Sequence, residues 1–268
     1  MPDRHVILTM GRTGSNTLVD ILNQNPEALN YGEVLGDWSP VRKIQRRLGV
    51  WRKDEAAYLD ALTTNPVVIR AALGVRDLRK RLSGAGAETK RASRLKTIGI
   101  KDFTMHFSKR GLDDYLPARP DIKVIGLTRE NVLARGISGA ALAATGVVSS
   151  RSANAGTAPG KVRVNAAVLV ERLDFIDWET RELDRLLDMI PPERVLRLSY
   201  ERCYADPEAT LDTAAQVYAF LGVTPIVPKI RMSKLLSRDP LEAIENADEV
   251  REALRGTRFE RWLERGGV

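Results

Sequence analysis

The stretch from Val6 to Pro26 constrains the chain more than any other. Val6-Ile7-Leu8-Thr9-Met10 is apolar with β-branched members and reads as a buried strand. Leu18, Val19, Ile21 and Leu22 fit a helix that stops before Pro26, so Gly11-Arg12-Thr13-Gly14-Ser15-Asn16-Thr17 between them reads as a tight strand-to-helix turn. Such a turn points backbone N–H groups and the positive end of a helix dipole at an anion above it. A phosphate cradle is the expectation; the competing reading is a plain glycine-containing βα turn that carries an arginine. The usual nucleotide loop, G-x-x-x-x-G-K-[ST], uses its Lys on the outer phosphates and its Ser/Thr on magnesium. Here no Lys follows Gly14 and the nearby cation, Arg12, precedes it. The cradle is therefore expected to take a phosphate without the usual metal.

The 268 residues suffice for one large α/β domain, and neither an internal repeat nor a linker divides them. A hydrophobic content of 43%, spread along the chain, marks it as globular. No apolar run approaches the roughly 18 to 20 residues that cross a bilayer, and the first strand begins too early for a signal peptide, so a cytoplasmic location is expected. One cysteine and two histidines argue against a dedicated zinc site, and Cys203 reads as a small packing residue. The net charge of +7 is uneven: residues 41 to 110 hold 18 Lys or Arg against 6 Asp or Glu, giving +12 and leaving −5 elsewhere. A basic face suits an anionic cofactor or substrate. With aromatic residues at 6% and no nucleic-acid motif, specific nucleic-acid binding is not expected.

After the first helix, residues 28–35 form a short segment in which Glu33 follows a turn residue. Its carboxylate is a candidate for the mouth of the site, against the competing reading of a solvated acid. Residues 40–65 read as one or two amphipathic helices, and 66–82 as either a strand at Val67-Val68-Ile69 or a helix running to Leu82. Residues 83–96 read as an exposed loop. A second strand at Thr97–Phe103 delivers Lys101 and then His106 toward the carboxyl end of the sheet, where a doubly wound fold binds its ligands. A third strand, Lys123–Arg129, ends in Thr-Arg where a magnesium-dependent nucleotidase would want Asp. Arg129 and Ser138 in the following helix are suited to one anion, since a guanidinium offers a fork and a hydroxyl a further donor. Residues 149–161 read as a loop suited to a lid, 165–189 as a long helix, 195–200 as a fourth strand, 207–221 as a helix closed by Gly222, and 248–262 as a helical end broken at Arg255-Gly256-Thr257.

Four of these stretches together resemble the sulfotransferases that use 3'-phosphoadenosine-5'-phosphosulfate (PAPS), in particular the bacterial (trehalose-type) and Golgi carbohydrate type. Gly11–Thr17 resembles that family's 5'-phosphosulfate loop, and Leu127-Thr128-Arg129-Glu130-Asn131 with Ser138 resembles its 3'-phosphate motif. Leu198-Ser199-Tyr200-Glu201 with Asp206-Pro207 and Phe220–Val223, and then Asn246–Phe259, are similar to its later segments. Correspondence is poor from about 36 to 96 and from 146 to 165, which are read as acceptor-specific insertions in a single domain spanning 1–268. One departure is Asn16, where many relatives carry a second hydroxyl residue; its amide can still donate to phosphate.

The resemblance implies a three-layer α/β fold with a P-loop-like central parallel sheet flanked by helices. It implies an enzyme that moves a sulfuryl group from PAPS to a hydroxyl of a carbohydrate, glycolipid or other small acceptor and leaves 3'-phosphoadenosine-5'-phosphate (PAP). A sulfuryl group in transfer carries less negative charge than a phosphoryl group, so fixed donors can serve and no metal is expected. By this resemblance Arg12 stabilises the sulfuryl oxygens; Thr13, Gly14, Ser15, Asn16 and Thr17 hold the 5'-phosphate; Arg129 and Ser138 hold the 3'-phosphate; Tyr200 reaches the adenine; and Arg255 and Gly256 complete the 3'-phosphate pocket. Glu33 matches the Gly-Glu position that supplies the general base in trehalose-type enzymes, with His106 as the alternative. A homodimer built on Trp38, Trp51 and the basic helices is a further expectation. The competing functions are a kinase or nucleotidase with a degenerate phosphate loop, and a non-catalytic nucleotide- or polyanion-binding module using residues 41 to 110.

Overall fold

The structure, a computed structural model, describes residues 1–51, 53–82, 90–146, 160–231 and 239–264. Its elements are β1 (Asp3–Thr9), α1 (Ser15–Gln24), β2 (Ala28–Asn30), α2 (Pro40–Leu48), α3 (Glu55–Thr64), α4 (Pro66–Leu82), β3 (Thr97–Phe103), α5 (Thr104–Ser108), β4 (Ile122–Thr128), α6 (Val132–Thr145), α7 (Ala166–Asp188), β5 (Val195–Ser199), α8 (Tyr200–Cys203), α9 (Pro207–Leu221), α10 (Ala247–Leu254) and α11 (Arg261–Glu264). The strands form one parallel sheet in the order β2-β3-β1-β4-β5. Only crossover connections can build such a sheet, so both faces must be covered.

The alternation along β1 shows how. Val6 and Leu8 pack in a core with Tyr58, Leu59 and Leu62 of α3 and Leu183, Leu186 and Leu187 of α7. Ile7 points the other way, into a core with Leu18, Ile21 and Leu22 of α1 and Val217, Tyr218 and Leu221 of α9. Three layers result, with Cys203 buried as a packing residue in the second core. A third cluster joins α6, α7 and α10 through Ile137, Leu173, Val250 and Leu254. No helix among the described residues is long and apolar enough to cross a membrane.

The register sets the rim on which the site stands. Thr9 pairs with both Phe103 and Leu127, and Thr128 with Ser199, so β1, β3, β4 and β5 end at one level. The chain leaves β1 toward β2 on one side and leaves β4 toward β5 on the other. Above β1 and β4 the connections diverge, and such a switch point is where open α/β sheets bind ligands.

Two segments that sequence pattern left open are settled by packing. Residues 66–82 are helical: Ile69 and Leu73 pack together against Leu29, Leu95 and Ile98, Val68 packs against the first core, and Val67, Ala71, Val75, Leu78 and Leu82 are exposed. Residues 28–30 form an extra edge strand, β2, three residues long and thus too short for any periodicity to announce. Residues 40–64 form two helices, α2 and α3. Residues 149–159 of the expected lid and 83–89 of the loop at 83–96 lie outside the described residues.

Candidate active site

The turn after β1 has the geometry of an anion cradle. Arg12 (φ 66°) and Gly14 (φ 77°) both adopt left-handed conformations, and Gly14 caps the N-terminus of α1. Gly14 has no room for a side chain: a Cβ there would lie 2.6 Å from the Tyr204 ring and 3.0 Å from that of Tyr200. The loop is braced from below. The Thr13 hydroxyl meets that of Thr9 at 2.6 Å and donates to the Met10 carbonyl at 3.0 Å, so this fully buried side chain faces the sheet, leaving its backbone to the cradle. The Tyr204 hydroxyl donates to the Gly14 carbonyl at 3.0 Å and the Arg135 Nε to the Gly11 carbonyl at 2.8 Å. Arg135 is itself buried and ion-paired with Glu179 of α7. Ser15 is buried while Asn16 is exposed at the first turn of α1, where the Thr17 amide donates back to the Gly14 carbonyl at 2.9 Å.

Beside the cradle, toward β4 and β5, the arginines converge. Arg12 Nε donates to Ser138 Oγ of α6 at 2.9 Å, and Arg129 Nη1 donates to the Arg12 carbonyl at 3.2 Å. The Arg129 guanidinium lies 4.2 Å from the Tyr200 ring centroid. Burial lowers the Arg129 pKa, partly opposed by Tyr200 and Glu201; burial and then the charge of Arg129 lower that of Arg12. Arg129 makes no ion pair among the described residues, and its buried Nε has no hydrogen-bond partner. The nearby Glu201 carboxylate instead accepts from the Glu130 and Asn131 amides at 3.0 and 3.1 Å. An orphaned buried guanidinium N–H is costly, and an anion placed against it would relieve that cost.

On the β3 side, Glu33 Oε1 pairs with the buried Lys101 ammonium and its Oε2 accepts from Trp38 Nε1 at 2.5 Å. One residue on, the fully buried Asp102 receives the Val34 and Leu35 amides at 2.8 and 2.7 Å on one oxygen and His106 Nδ1 at 2.5 Å on the other. The His106 ring sits between Trp38 and Phe103, with both centroids at 5.2 Å. Its Nδ1–H faces a carboxylate, so in the neutral ring the lone pair lies on Nε2, which has no partner among the described residues.

The fold therefore brings Arg12, Gly14, Arg129, Ser138 and Tyr200 into one cluster and Glu33, Lys101 and His106 into a second. No hydrogen bond or ion pair among the described residues ties Arg255 or Gly256 to either cluster. Arg255 is exposed and paired with Glu252, and the Gly256 amide donates to Glu260. Sequence reading missed Asp102, Arg135 and Glu179, and took Trp38 for a contact surface where its indole instead donates to Glu33. The Asp102-to-His106 spacing of four is a signal for one side-chain pair over a helical turn. An arginine inside the apolar run Val132–Ile137 signals a buried cation that needs partners.

The profile of the Sulfotransferase family matches residues 5–226. No curated protein sequence matches this chain. Among solved structures, the chain is similar to a sulfotransferase from Alicyclobacillus acidocaldarius, with 18% identity, a TM-score of 0.48 and coverage of 99% of this chain and 96% of that one. It is similar to the sulfotransferase domain of the Synechococcus PCC 7002 olefin synthase, with 16% identity, a TM-score of 0.44 and coverage of 88% and 80%. Mouse sulfotransferase SULT7A1 complexed with PAP is also similar, with 12% identity, a TM-score of 0.40 and coverage of 84% and 60%.

Proposed function

The chain belongs to the sulfotransferase family, and from that premise we propose that it transfers a sulfuryl group from PAPS to a hydroxyl of a carbohydrate, glycolipid or other small acceptor. The observation that carries the reading is the cluster of Arg12, Ser138 and Arg129 beside the α1 cradle, with the buried Arg129 Nε lacking a partner. These residues fit a nucleotide phosphorylated at both ends. The turn from Thr13 to Thr17 would take the 5'-phosphate, and Arg129 with Ser138 the 3'-phosphate. Arg12, between the two, would neutralise charge on the sulfuryl and bridging oxygens, and Tyr200 would lie against the adenine. PAPS held by these residues would supply the sulfuryl group to the acceptor oxygen, with PAP as the leaving group.

The acceptor hydroxyl must lose a proton, and the geometry favours His106 for this task. Its Nε2 lone pair is open and its ring is held by Asp102. Both oxygens of Glu33 already accept strong donors, which suits this carboxylate to orienting a hydroxyl beside His106. In this assignment the proton moves from the hydroxyl to Nε2, and Asp102 stabilises the imidazolium that forms.

Calorimetry without added metal, comparing PAP with 5'-AMP and ATP, tests the donor. PAP is expected to bind far more tightly than 5'-AMP, and Arg129→Ala to erase that difference. Equal affinity for the three ligands would overturn the proposal.

A further inference from the structure

Helix α4 carries two apolar faces and fills only one of them. Ile69 and Leu73 face the sheet edge and are buried with Leu29, Leu95 and Ile98. On the opposite side Val67, Ala71, Val75, Leu78 and Leu82 follow one another at spacings of four, four, three and four, which keeps them in a single stripe along all 17 residues. The stripe is open to solvent, with Val67 at 71%, Leu78 at 57% and Leu82 at 80% exposure. A lone exposed Leu is ordinary, but a continuous apolar row is a mark of an interaction surface.

The charge around the stripe selects its partner. Within α4 the sequence holds five basic residues, Arg70, Arg76, Arg79, Lys80 and Arg81, against one acid, Asp77. Arg70 and Arg81 are exposed at the border of the stripe, each about a quarter turn from Leu78. Helix α2 repeats the pattern on a smaller scale: Ile44 and Leu48 are exposed one turn apart, with Lys43, Arg46 and Arg47 exposed beside them. A second copy of this chain would set these positive rims against each other. Nucleic acid would use the charges and leave the apolar row in water. A surface that is apolar beneath and negative above satisfies both.

We propose that α4 docks the protein on an anionic phospholipid bilayer. The row from Val67 to Leu82 enters the headgroup boundary, and Arg70 and Arg81 engage the lipid phosphates. This attachment is peripheral, and it stands whether or not PAPS is the donor.

The test uses the full chain and vesicles of phosphatidylcholine with or without phosphatidylglycerol, read by co-sedimentation. Binding is expected only with phosphatidylglycerol and is expected to fall with added salt. Leu78→Ser with Leu82→Ser is expected to weaken it by roughly tenfold or more. Arg70→Gln with Arg81→Gln is expected to weaken it by roughly 25-fold, since each charge near such a surface is worth about fivefold. All four positions are solvent-facing, so thermal unfolding of the variants should match the parent. Three results would overturn the proposal: no binding to anionic vesicles, binding unchanged in both double variants, or a dimer of the parent that Leu78→Ser converts to monomer.

Discussion

The two halves of the rim solve the problem of burying charge in opposite ways. On the β3 side charges are matched within the protein: Lys101 meets Glu33, and Asp102 meets His106 and two amides. On the β4 side Arg129 stacks on Tyr200, donates one bond to a carbonyl, makes no ion pair among the described residues and leaves its Nε unmatched. A matched cluster is complete alone and is suited to holding side chains still while a proton moves. A cluster with a buried donor to spare is complete only with an anion in it. On the proposed function, the difference would divide the labour of group transfer between a side that orients the acceptor and a side that binds the donor.

The largest effect should come from the matched side. His106→Ala is expected to lower kcat by roughly a thousandfold, the middle of the range for losing a positioned general base, while PAP affinity stays at the parent value. Asp102→Asn should act through His106, lowering kcat by about a hundredfold and changing the pH dependence of kcat together with the imidazole tautomer seen by nitrogen NMR. A loss of PAP affinity in either variant would show that the two sides are not separable. A Glu33→Gln variant as damaged as His106→Ala, with His106→Ala nearly active, would reverse the roles.

On the donor side, Arg129→Ala removes the charge that the β4 side holds in reserve. PAP affinity should fall by about a hundredfold, as expected for charge-assisted hydrogen bonds worth about 1.5 to 3 kcal/mol each, and 5'-AMP affinity should scarcely change. Arg129→Lys should recover only part of the loss, because an ammonium keeps the charge but not the planar fork that stacks on Tyr200. Equal losses for PAP and 5'-AMP would place Arg129 against the 5'-phosphate and redraw the site.

The same contrast explains what could be read from the sequence. The clustering of Arg12, Arg129 and Ser138, the proposed donor side, was legible because its parts are contiguous: Gly11–Thr17 is one turn, and Arg129 and Ser138 bracket a single strand-to-helix junction. Local spacing was enough to place them. The acceptor side is assembled from residues far apart along the chain, such as Glu33 with Lys101 and Asp102 with the amides of 34 and 35. No periodicity connects such partners; the parallel pairing of β2 with β3 does. Thus Glu33 and His106 stood out as residue types, but Asp102, which ties their segments together, did not. The fold was legible for the strands with β-branched runs, β1, β3, β4 and β5. It was obscure where packing outranked pattern, as in β2 and in α4, whose second apolar face blurs the helical period.

Beneath the matched side lies the group that links it to pH. His5 of β1 is fully buried, its ring lying over Gly99 of the neighbouring strand β3. Its Nδ1 lies 2.8 Å from Thr97 Oγ1 and its Nε2 lies 3.0 Å from Asn30 Nδ2. The orientation of Asn30 is fixed because its Oδ1 accepts the Gly32 amide at 2.8 Å, so its Nδ2 must donate and His5 Nε2 must accept. The ring is therefore neutral, with its proton on Nδ1. Burial, reinforced by the charge of Lys90, lowers its pKa from 6.5 to about 3. The unfolded chain then binds a proton below pH 6.5 that the native protein refuses, so stability falls as pH drops through the window from 6.5 to about 3. The slope approaches 1.4 kcal/mol per pH unit, or about 2 kcal/mol lost by pH 5 from this residue alone. Urea unfolding at pH 7 and pH 5 measures it, and His5→Gln, which has no proton to take up, should flatten the difference. Because Gly99 is where β3 makes room for the ring, with a Cβ there only 2.5 Å from His5 Cδ2, the loss should be felt first where β3 meets β1 and β2. Amide exchange at pH 5 should then rise in β2 and β3 ahead of β4 and β5; a uniform rise would mean that the two sides of the sheet open as one unit.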